Sequence, residues 1–127
     1  MVKQNGINLA IIGSRNLKDK VNDIYNAICN YFDPEQINLI VSGGAMGIDS
    51  EGEKAANQLQ IPFKKFLPDW EKFGKSAGFK RNELIINEAT HVLALWYIDP
   101  PSKGTRHSIN IALKQGKPVI ILPYVRE

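Results

Sequence analysis

The chain has 127 residues, of which 43% are hydrophobic and 23% are charged. This size and balance are typical of one globular domain and exclude a disordered tail or a collagen-like fibre. The formal net charge of +3 is too small to indicate a nucleic-acid partner by itself. The charge is concentrated, however: residues 60–82, the basic stretch, contain six Lys or Arg and two Asp or Glu, so they carry +4 and the other 104 residues carry −1. The positive charge therefore needs a local explanation.

The cysteine count and the length of the apolar runs indicate the compartment. The single cysteine, Cys29, excludes an intrachain disulfide and favours a reducing compartment. It falls at an apolar helix position, so we expect a packed core thiol. The longest apolar run, residues 92–98, is far shorter than the roughly 20 residues that cross a bilayer. We therefore expect a cytoplasmic protein with no membrane partner, and we identify no metal-binding residues and no cofactor motif.

The first half of the chain alternates apolar runs with helical patterns. Residues 7–12 form a short apolar run that predicts a buried strand. Apolar side chains at helical spacing follow over residues 21–32, and an Asp-Pro pair ends this helix. Residues 37–41 predict a second strand. Small and apolar side chains over residues 48–59 predict a second helix that packs closely on a sheet.

The second half continues the alternation. Residues 61–67 predict a third strand, less apolar and near an edge of the sheet, and the basic stretch leads from it into a third helix around residues 84–89. Residues 91–97 predict a fourth strand, residues 105–115 a fourth helix and residues 118–122 a fifth strand.

This order of elements predicts an α/β fold. We expect a Rossmann-like doubly wound sheet of about five parallel strands flanked by helices on both faces, in a single domain over residues 1–127. In such sheets ligands bind beyond the carboxyl ends of the strands, at the point where the strand order reverses. The ligand site should therefore follow strands one, two and four.

The turn after strand one contains Gly13, Ser14 and Arg15. Glycine permits close approach of a ligand to the backbone, serine donates a hydrogen bond, and arginine offers a planar fork to phosphate or carboxylate. The alternative is an ordinary strand-to-helix turn with a solvated arginine.

The turn after strand two, residues 42–49, is the strongest local signal. Three glycines and one alanine in five positions expose backbone N–H groups, and the following helix N-terminus adds partial positive charge. We expect a bound anion, most often phosphate, although the spacing matches neither the dinucleotide fingerprint nor the P-loop. The alternative is a tight turn capped by Asp49. The residues predicted to contact the ligand here are Ser42, Gly43, Gly44, Ala45, Gly47 and Asp49.

The basic stretch also contains aromatic residues. Aromatic side chains stack on bases and cations bind phosphates, so we predict ligand contacts by Trp70, Lys75, Arg81 and Asn82. The alternative is that the aromatic side chains pack this segment onto the domain while the lysines face water.

The segment after strand four is a weaker signal. Two prolines stiffen it, and Gly104 and Thr105 begin the next helix, where Thr105 either caps the helix or bonds a phosphate oxygen.

Four motifs in this order resemble the SLOG superfamily of Rossmann-like nucleotide-binding domains. They are I-I-G-S-R at 11–15, S-G-G-A-M-G-I-D at 42–49, D-W-x-x-F-G-K-S-A-G-F-K-R-N at 69–82 and G-T at 104–105. The resemblance is greatest to the YspA-like, cpYpsA-related branch, and the glycine run is also similar to that of the DNA-processing protein A family, a single-strand DNA binder. It implies a nucleotide-derived ligand and a homodimer or homotetramer. It assigns ligand binding to Gly13, Ser14, Arg15, Gly43, Gly44, Asp49, Arg81, Asn82, Gly104 and Thr105.

One departure from the resemblance concerns catalysis. The related LOG-type phosphoribohydrolases have a glutamate that supports N-glycosidic cleavage, and Ser108 stands at that position here. A hydroxyl without an activator is no general base at neutral pH. Glu51, Glu53 and Glu83 remain as substitutes, so we identify no catalytic residue and favour a binding protein over an enzyme.

The leading hypothesis is a sensor or scavenger that binds ADP-ribose, a cyclic ADP-ribose-like molecule or a nucleoside phosphate. In this hypothesis Arg15, Lys75 and Arg81 neutralise phosphate, Asp49 bonds a ribose and Trp70 or Phe73 faces the base. The alternatives are a nucleotide N-glycosidase or phosphohydrolase that uses Glu83 or Asp49, a single-stranded DNA binder, and an interaction module without a ligand.

Overall fold

The structure is a computed structural model that describes residues 6–43 and 47–126. Its centre is a sheet of five parallel strands in the order β3-β2-β1-β4-β5. The strands are β1 (Ile7–Gly13), β2 (Ile37–Gly43), β3 (Phe63–Phe66), β4 (His91–Tyr97) and β5 (Val119–Tyr124). The predicted α/β fold with a five-stranded parallel sheet is confirmed.

Helices cover both faces of the sheet. They are α1 (Val21–Tyr31), α2 (Ile48–Gln58), the short α3 (Trp70–Phe73), α4 (Ala77–Glu88) and α5 (Lys103–Lys114), with 3₁₀ turns at Pro34–Gln36 and Gly74–Ser76. Side chains of β1 alternate between the two faces, so Leu9 and Ile11 pack with α1 and α2, whereas Ala10 and Ile12 pack with α4 and α5. Because both faces of β1 are covered, its sequence is apolar at consecutive positions.

The helix α2 lies close to the sheet because its inner face is made of small residues. Gly52, Ala55 and Ala56 are buried there, and a β-carbon on Gly52 would lie 3.3 Å from Cγ2 of Ile11. This is the close packing that the small-residue pattern predicts.

One local prediction from the sequence is incomplete, and another is wrong. The helix α4 begins at Ala77, well before residue 84, because its first two turns bury little besides Ala77 and so carry no apolar periodicity. Cys29 is exposed rather than packed in the core. The inner face of α1 is formed by Ile24, Ala27 and Ile28, and a rotation of about 100° per residue turns the next position away from that face.

The edge strand β3 accounts for two cations of the basic stretch. Lys64 and Lys65 are exposed on it and pair with Glu88 at 3.7 Å and Glu53 at 3.0 Å. Charged lysines on an edge strand oppose pairing with another sheet. These two charges therefore belong to the sheet edge.

The strand order places the reversal point between β1 and β4. The chain moves outward from β1 through β2 to β3, then crosses back to β4 on the other side of β1. A crevice at the carboxyl ends of β1 and β4 follows from that reversal. No helix in the described parts of the chain is long and apolar enough to cross a membrane.

Candidate functional site

A cleft of about 370 Å³ opens at the carboxyl ends of β1, β2 and β4. This volume lies within the range of small-ligand sites. The apolar side chains of Ile12, Ile48 and Ile85 form part of its lining. The polar and charged side chains that line it are Arg15, Asn16, Asp49, Arg81, Asn82, Tyr97, Ser102, Lys103, Thr105, Ser108 and Arg126.

The charges of the cleft are strongly unbalanced. Four cations, Arg15, Arg81, Lys103 and Arg126, face one carboxylate, Asp49, among the described lining residues. The four cations come from four different segments: the turn after β1, helix α4, the start of α5 and the end of the chain after β5. Cations that converge from separate segments on one concave surface attract an anionic ligand.

The end of β2 brings Arg81 and Asp49 together. A β-carbon at Gly43 would lie 2.4 Å from Nη1 of Arg81 and 2.8 Å from Oδ2 of Asp49, so both groups fill the space in front of this glycine. The Nε–H of Arg81 donates to Oδ1 of Asn82 at 3.0 Å, which fixes the guanidinium plane. A side chain at position 43 would therefore displace the Arg81 guanidinium or the Asp49 carboxylate from this place.

The carboxylate of Asp49 is oriented by a buried serine. The hydroxyl oxygen of Ser42 lies 2.7 Å from Oδ1 of Asp49 and 2.5 Å from the carbonyl oxygen of Ile11. Since a hydroxyl has one proton, it donates to one of these acceptors at a time. Ser42 is fully buried, so it acts through Asp49 rather than by touching a ligand.

The turn after β1 is held by hydrogen bonds that leave Arg15 exposed. Ser14 is buried; its N–H donates to the carbonyl of Leu95 at 3.0 Å, and its hydroxyl oxygen accepts the N–H of Tyr97 at 2.9 Å. The serine therefore ties β1 to β4 beneath the cleft. Gly13 lines the cleft and also packs closely against Ile48. A β-carbon at Gly13 would lie 2.4 Å from Cγ1 of Ile48.

Gly47 supplies the backbone turn into α2. Its φ of +84° lies in a region that side chains rarely adopt, and a β-carbon would be 3.0 Å from the carbonyl oxygens of Arg15 and Leu17. This glycine thus lets the segment before α2 approach the turn after β1. Gly44 and Ala45, also predicted as ligand contacts, lie outside the described residues.

The start of α5 adds two buried hydroxyls to the cleft. Thr105 and Ser108, three residues apart on one helix face, are 6% and 2% exposed and both line the cleft. The N-cap residue is Ser102, whose side chain does not cap the helix, so Thr105 is not the cap that the sequence suggests.

Eight of the predicted contact residues share this cleft: Gly13, Arg15, Gly43, Asp49, Arg81, Asn82, Gly104 and Thr105. Ser14, Ser42 and Gly47 support it from behind, as described above. Trp70 and Lys75 do not line it; they lie on α3 and the following 3₁₀ turn, and both are exposed. Of the six cations in the basic stretch, Arg81 alone lines the cleft.

Sequence reasoning missed several lining residues. Tyr97 is the aromatic residue among the described cleft residues, although Trp70 was the predicted stacking partner. Lys103 follows the Pro-Pro segment and carried no signal of its own. Arg126, near the chain end and far from any motif, had no sequence signal, because its place depends on the position of β5 beside β4.

The glutamates that the sequence left as catalytic substitutes lie elsewhere. Glu51 is buried and accepts the N–H groups of Asp19 at 2.8 Å and Lys20 at 2.5 Å, so it holds the turn before α1. Glu53 pairs with Lys65, and Glu83 does not line the cleft. Among the described residues, Asp49 is therefore the carboxylate that lines this cleft.

Comparisons with known proteins agree with the fold. A family model described as DNA recombination-mediator protein A matches residues 1–63, which contain β1, β2 and the glycine-rich turn. The X-ray structure of DNA processing protein A (DprA) from Streptococcus pneumoniae matches with a TM-score of 0.73 at 18% identity, over 94% of this chain and 51% of that chain. The present chain thus spans about half the length of that solved relative, and the likeness shows the fold. No curated protein matched the sequence.

Proposed function

We propose that this chain, which belongs to the SLOG superfamily and is related to the DNA-processing protein A family, binds a phosphorylated, nucleotide-derived ligand in its cleft. The observation that carries the proposal is the group of four cations around one carboxylate, Asp49, at the strand-order reversal. The narrower resemblance to the YspA-like branch stays a prediction. So do a single nucleotide-binding domain over residues 1–127 and a cytoplasmic location.

Different residues of the cleft bind different chemical groups of the ligand. Arg15 and Arg81 offer planar, charge-assisted donors to phosphate oxygens, and each such bond contributes on the order of 1.5–3 kcal/mol before desolvation. The Asp49 carboxylate, held by Ser42, accepts a hydrogen bond from a ribose hydroxyl. Thr105 and Ser108 present buried hydroxyls to the same ligand.

The volume of the cleft limits the ligand's size. About 370 Å³ is near the lower end for small-molecule sites, so the enclosed part of the ligand has the size of one nucleotide. A nucleoside phosphate, ADP-ribose or a cyclic ADP-ribose-like molecule fits this description, and a sensor or scavenger needs no further chemistry from the protein.

Isothermal titration calorimetry over a panel of nucleoside phosphates, ADP-ribose and cyclic ADP-ribose isomers tests the proposal. At least one member should bind with a micromolar Kd, and Arg81→Ala should weaken it at least about tenfold, equivalent to roughly 1.4 kcal/mol. Lys54→Ala, on the exposed side of α2, is the charge-matched control and should leave the Kd unchanged. If nothing in the panel binds more tightly than millimolar, the proposal fails.

Single-stranded DNA binding is the second candidate, because the matching family model is described as a recombination-mediator protein. A DNA strand would place one nucleotide in the cleft and the neighbouring nucleotides along the carboxyl ends of the β-strands. Fluorescence anisotropy with a labelled oligonucleotide at several salt concentrations distinguishes the two candidates. A steep loss of affinity with salt, without binding of any mononucleotide, would favour the strand.

Two further measurements test for turnover and for assembly. Asp49 is the carboxylate that N-glycosidic or phosphate-ester cleavage would use, so chromatography of the incubated ligands should show no product if the protein only binds. A homodimer or homotetramer stays a prediction from the resemblance, and light scattering of the purified chain measures it directly.

A further inference from the structure

Arg126, which follows β5, is held in one position in the cleft by its contact with Tyr97. The guanidinium carbon of Arg126 lies 4.2 Å from the centroid of the Tyr97 ring, a cation–π contact. Tyr97 is fixed in turn, because its N–H donates to Ser14 and its ring packs partly on the core under β4 and β5. An exposed arginine otherwise samples many conformations, so this stacking lowers the entropic cost of binding a ligand.

The hydrogen bonds of Arg126 leave donors available. Its Nη2 donates to the carbonyl of Pro100 at 3.3 Å and to the hydroxyl of Ser102 at 3.4 Å. A guanidinium has five N–H donors, and among the described residues both contacts use one nitrogen. The donors on Nε and Nη1 therefore stay available to an anion in the cleft.

The four cations form two pairs on opposite sides of the cleft. Arg81 lies against the end of β2 and Arg15 follows β1, whereas Lys103 follows β4 and Arg126 follows β5. The strands β2 and β5 are separated by β1 and β4, so their ends lie about 14 Å apart at normal strand spacing. The guanidinium of Arg81 lies in front of Gly43 at the end of β2, whereas that of Arg126 stacks on Tyr97 at the end of β4, so the structure holds the two groups on either side of the end of β1.

We infer that Arg126 and Lys103 form a second anion subsite, which makes the cleft selective for a nucleotide unit with two phosphate groups at separate positions, such as the 3′ and 5′ oxygens of one ribose. This inference rests on the proposed function, because it assigns the second phosphate of that same ligand. The shared chemistry is found in a free nucleoside 3′,5′-bisphosphate and in an internal nucleotide of a single strand.

Calorimetry of the full chain with AMP, adenosine 3′,5′-bisphosphate and ADP tests the selectivity. The bisphosphate should bind at least about tenfold more tightly than AMP. Arg126→Ala should abolish that advantage, so that the bisphosphate binds no more tightly than AMP. Lys114→Ala, in the last turn of α5 at the far end of the helix, is the matched control and should keep the advantage. Because Arg126 is exposed, its substitution leaves the core intact.

The outcomes separate this inference from the proposed function. If AMP binds and depends on Arg81, but the bisphosphate gains nothing or Arg126→Ala weakens both ligands equally, the inference is wrong and the proposed function stands. ADP binding as tightly as the bisphosphate would contradict separate phosphate positions. If no nucleotide binds, the proposed function itself fails.

A second titration identifies the source of the two phosphates. Oligoadenylate is titrated beside the bisphosphate at two salt concentrations. Tighter binding of the oligonucleotide, still dependent on Arg126, indicates an internal nucleotide of a strand. Equal or tighter binding of the bisphosphate indicates the free nucleotide.

Discussion

The guanidinium of Arg81 occupies the space in front of Gly43, where a β-carbon would lie 2.4 Å from Nη1. The same absent side chain leaves room for Asp49, whose Oδ2 would be 2.8 Å from that atom. A glycine at the end of β2 thus lets a cation from α4 and a carboxylate from α2 meet at the base of the cleft. The positions of both charges depend on the lack of one methyl group.

Gly43→Ala should therefore weaken nucleotide binding at least about tenfold. The new methyl group displaces the Arg81 guanidinium from the end of β2, and the ligand loses a charge-assisted donor. Calorimetry with the ligand found in the panel measures the effect. Unchanged affinity would show that Arg81 does not contact the ligand from this position.

Gly78→Ala is the matched control for that substitution. A β-carbon at Gly78 has no neighbour within 4 Å, and the residue lies in the first turn of α4, so alanine fits there. The variant should keep its ligand affinity, and urea denaturation should show stability raised by about 0.5–1 kcal/mol.

Glu51 should be a structural rather than a catalytic carboxylate. Glu51→Ala removes the acceptor of the Asp19 and Lys20 N–H groups, so we expect a loss of about 1–3 kcal/mol in the free energy of unfolding. Glu53→Ala, which breaks a surface ion pair with Lys65, should cost less than about 1 kcal/mol. Equal losses for the two variants in urea denaturation would contradict this assignment.

The phenol of Tyr124 should ionise at a higher pH than an ordinary tyrosine. Burial raises the pKa of Tyr124 far above its usual value of about 10, and the hydrogen bond to Asp23 and the charge of that carboxylate raise it further. Because the fold favours the neutral phenol, its contribution to stability is complete below pH 10 and declines as the pH rises above that value.

Ultraviolet absorbance at alkaline pH measures this directly. The native chain should show an ionisation step well above pH 10, and Tyr124→Phe should remove that step. The stability difference between the native chain and Tyr124→Phe should be constant from pH 7 to about 9 and shrink above pH 10. If Tyr124→Phe instead removes an ionisation step near pH 10, the assignment is wrong.

The sheet could be predicted from the sequence because its strands are buried on both faces. Consecutive apolar residues such as Leu9, Ala10 and Ile11 result directly from that burial, and the helices between them carry their own periodicity. The start of α4 could not be predicted from the sequence, because its first turns contact the cleft and solvent more than the core. The side chains of Arg81 and Asn82 there are functional candidates in a segment that packing does not pattern.

The candidate site was predictable where local backbone chemistry marks it. Gly43 and Asp49 belong to a glycine-rich turn at a helix start. This pattern favours anion binding, and it can be recognised because it lies within one continuous segment of the sequence. Tyr97 and Arg126 lack such a pattern, because their contact at 4.2 Å is created by the adjacency of β4 and β5. A side chain that reaches a site through tertiary packing leaves no trace in its sequence neighbours.

The structure also revises the explanation of the concentrated charge. Lys64 and Lys65 of the basic stretch pair along the sheet edge, and Lys75 lies outside the cleft. Arg81 instead lines the cleft together with cations from three other segments. The sequence correctly indicates an excess of charge in this stretch, and the fold distributes it between two different uses.

The most direct test of the nucleotide cleft compares Arg81→Ala with Lys75→Ala in one calorimetric titration series. Each variant removes one positive charge from the basic stretch, but only Arg81 lines the cleft. Loss of Arg81 should weaken the panel's best ligand at least about tenfold, and loss of Lys75 should change its Kd less than about twofold. An equal loss for both variants, or a larger loss for Lys75→Ala, would contradict the cleft as the nucleotide site.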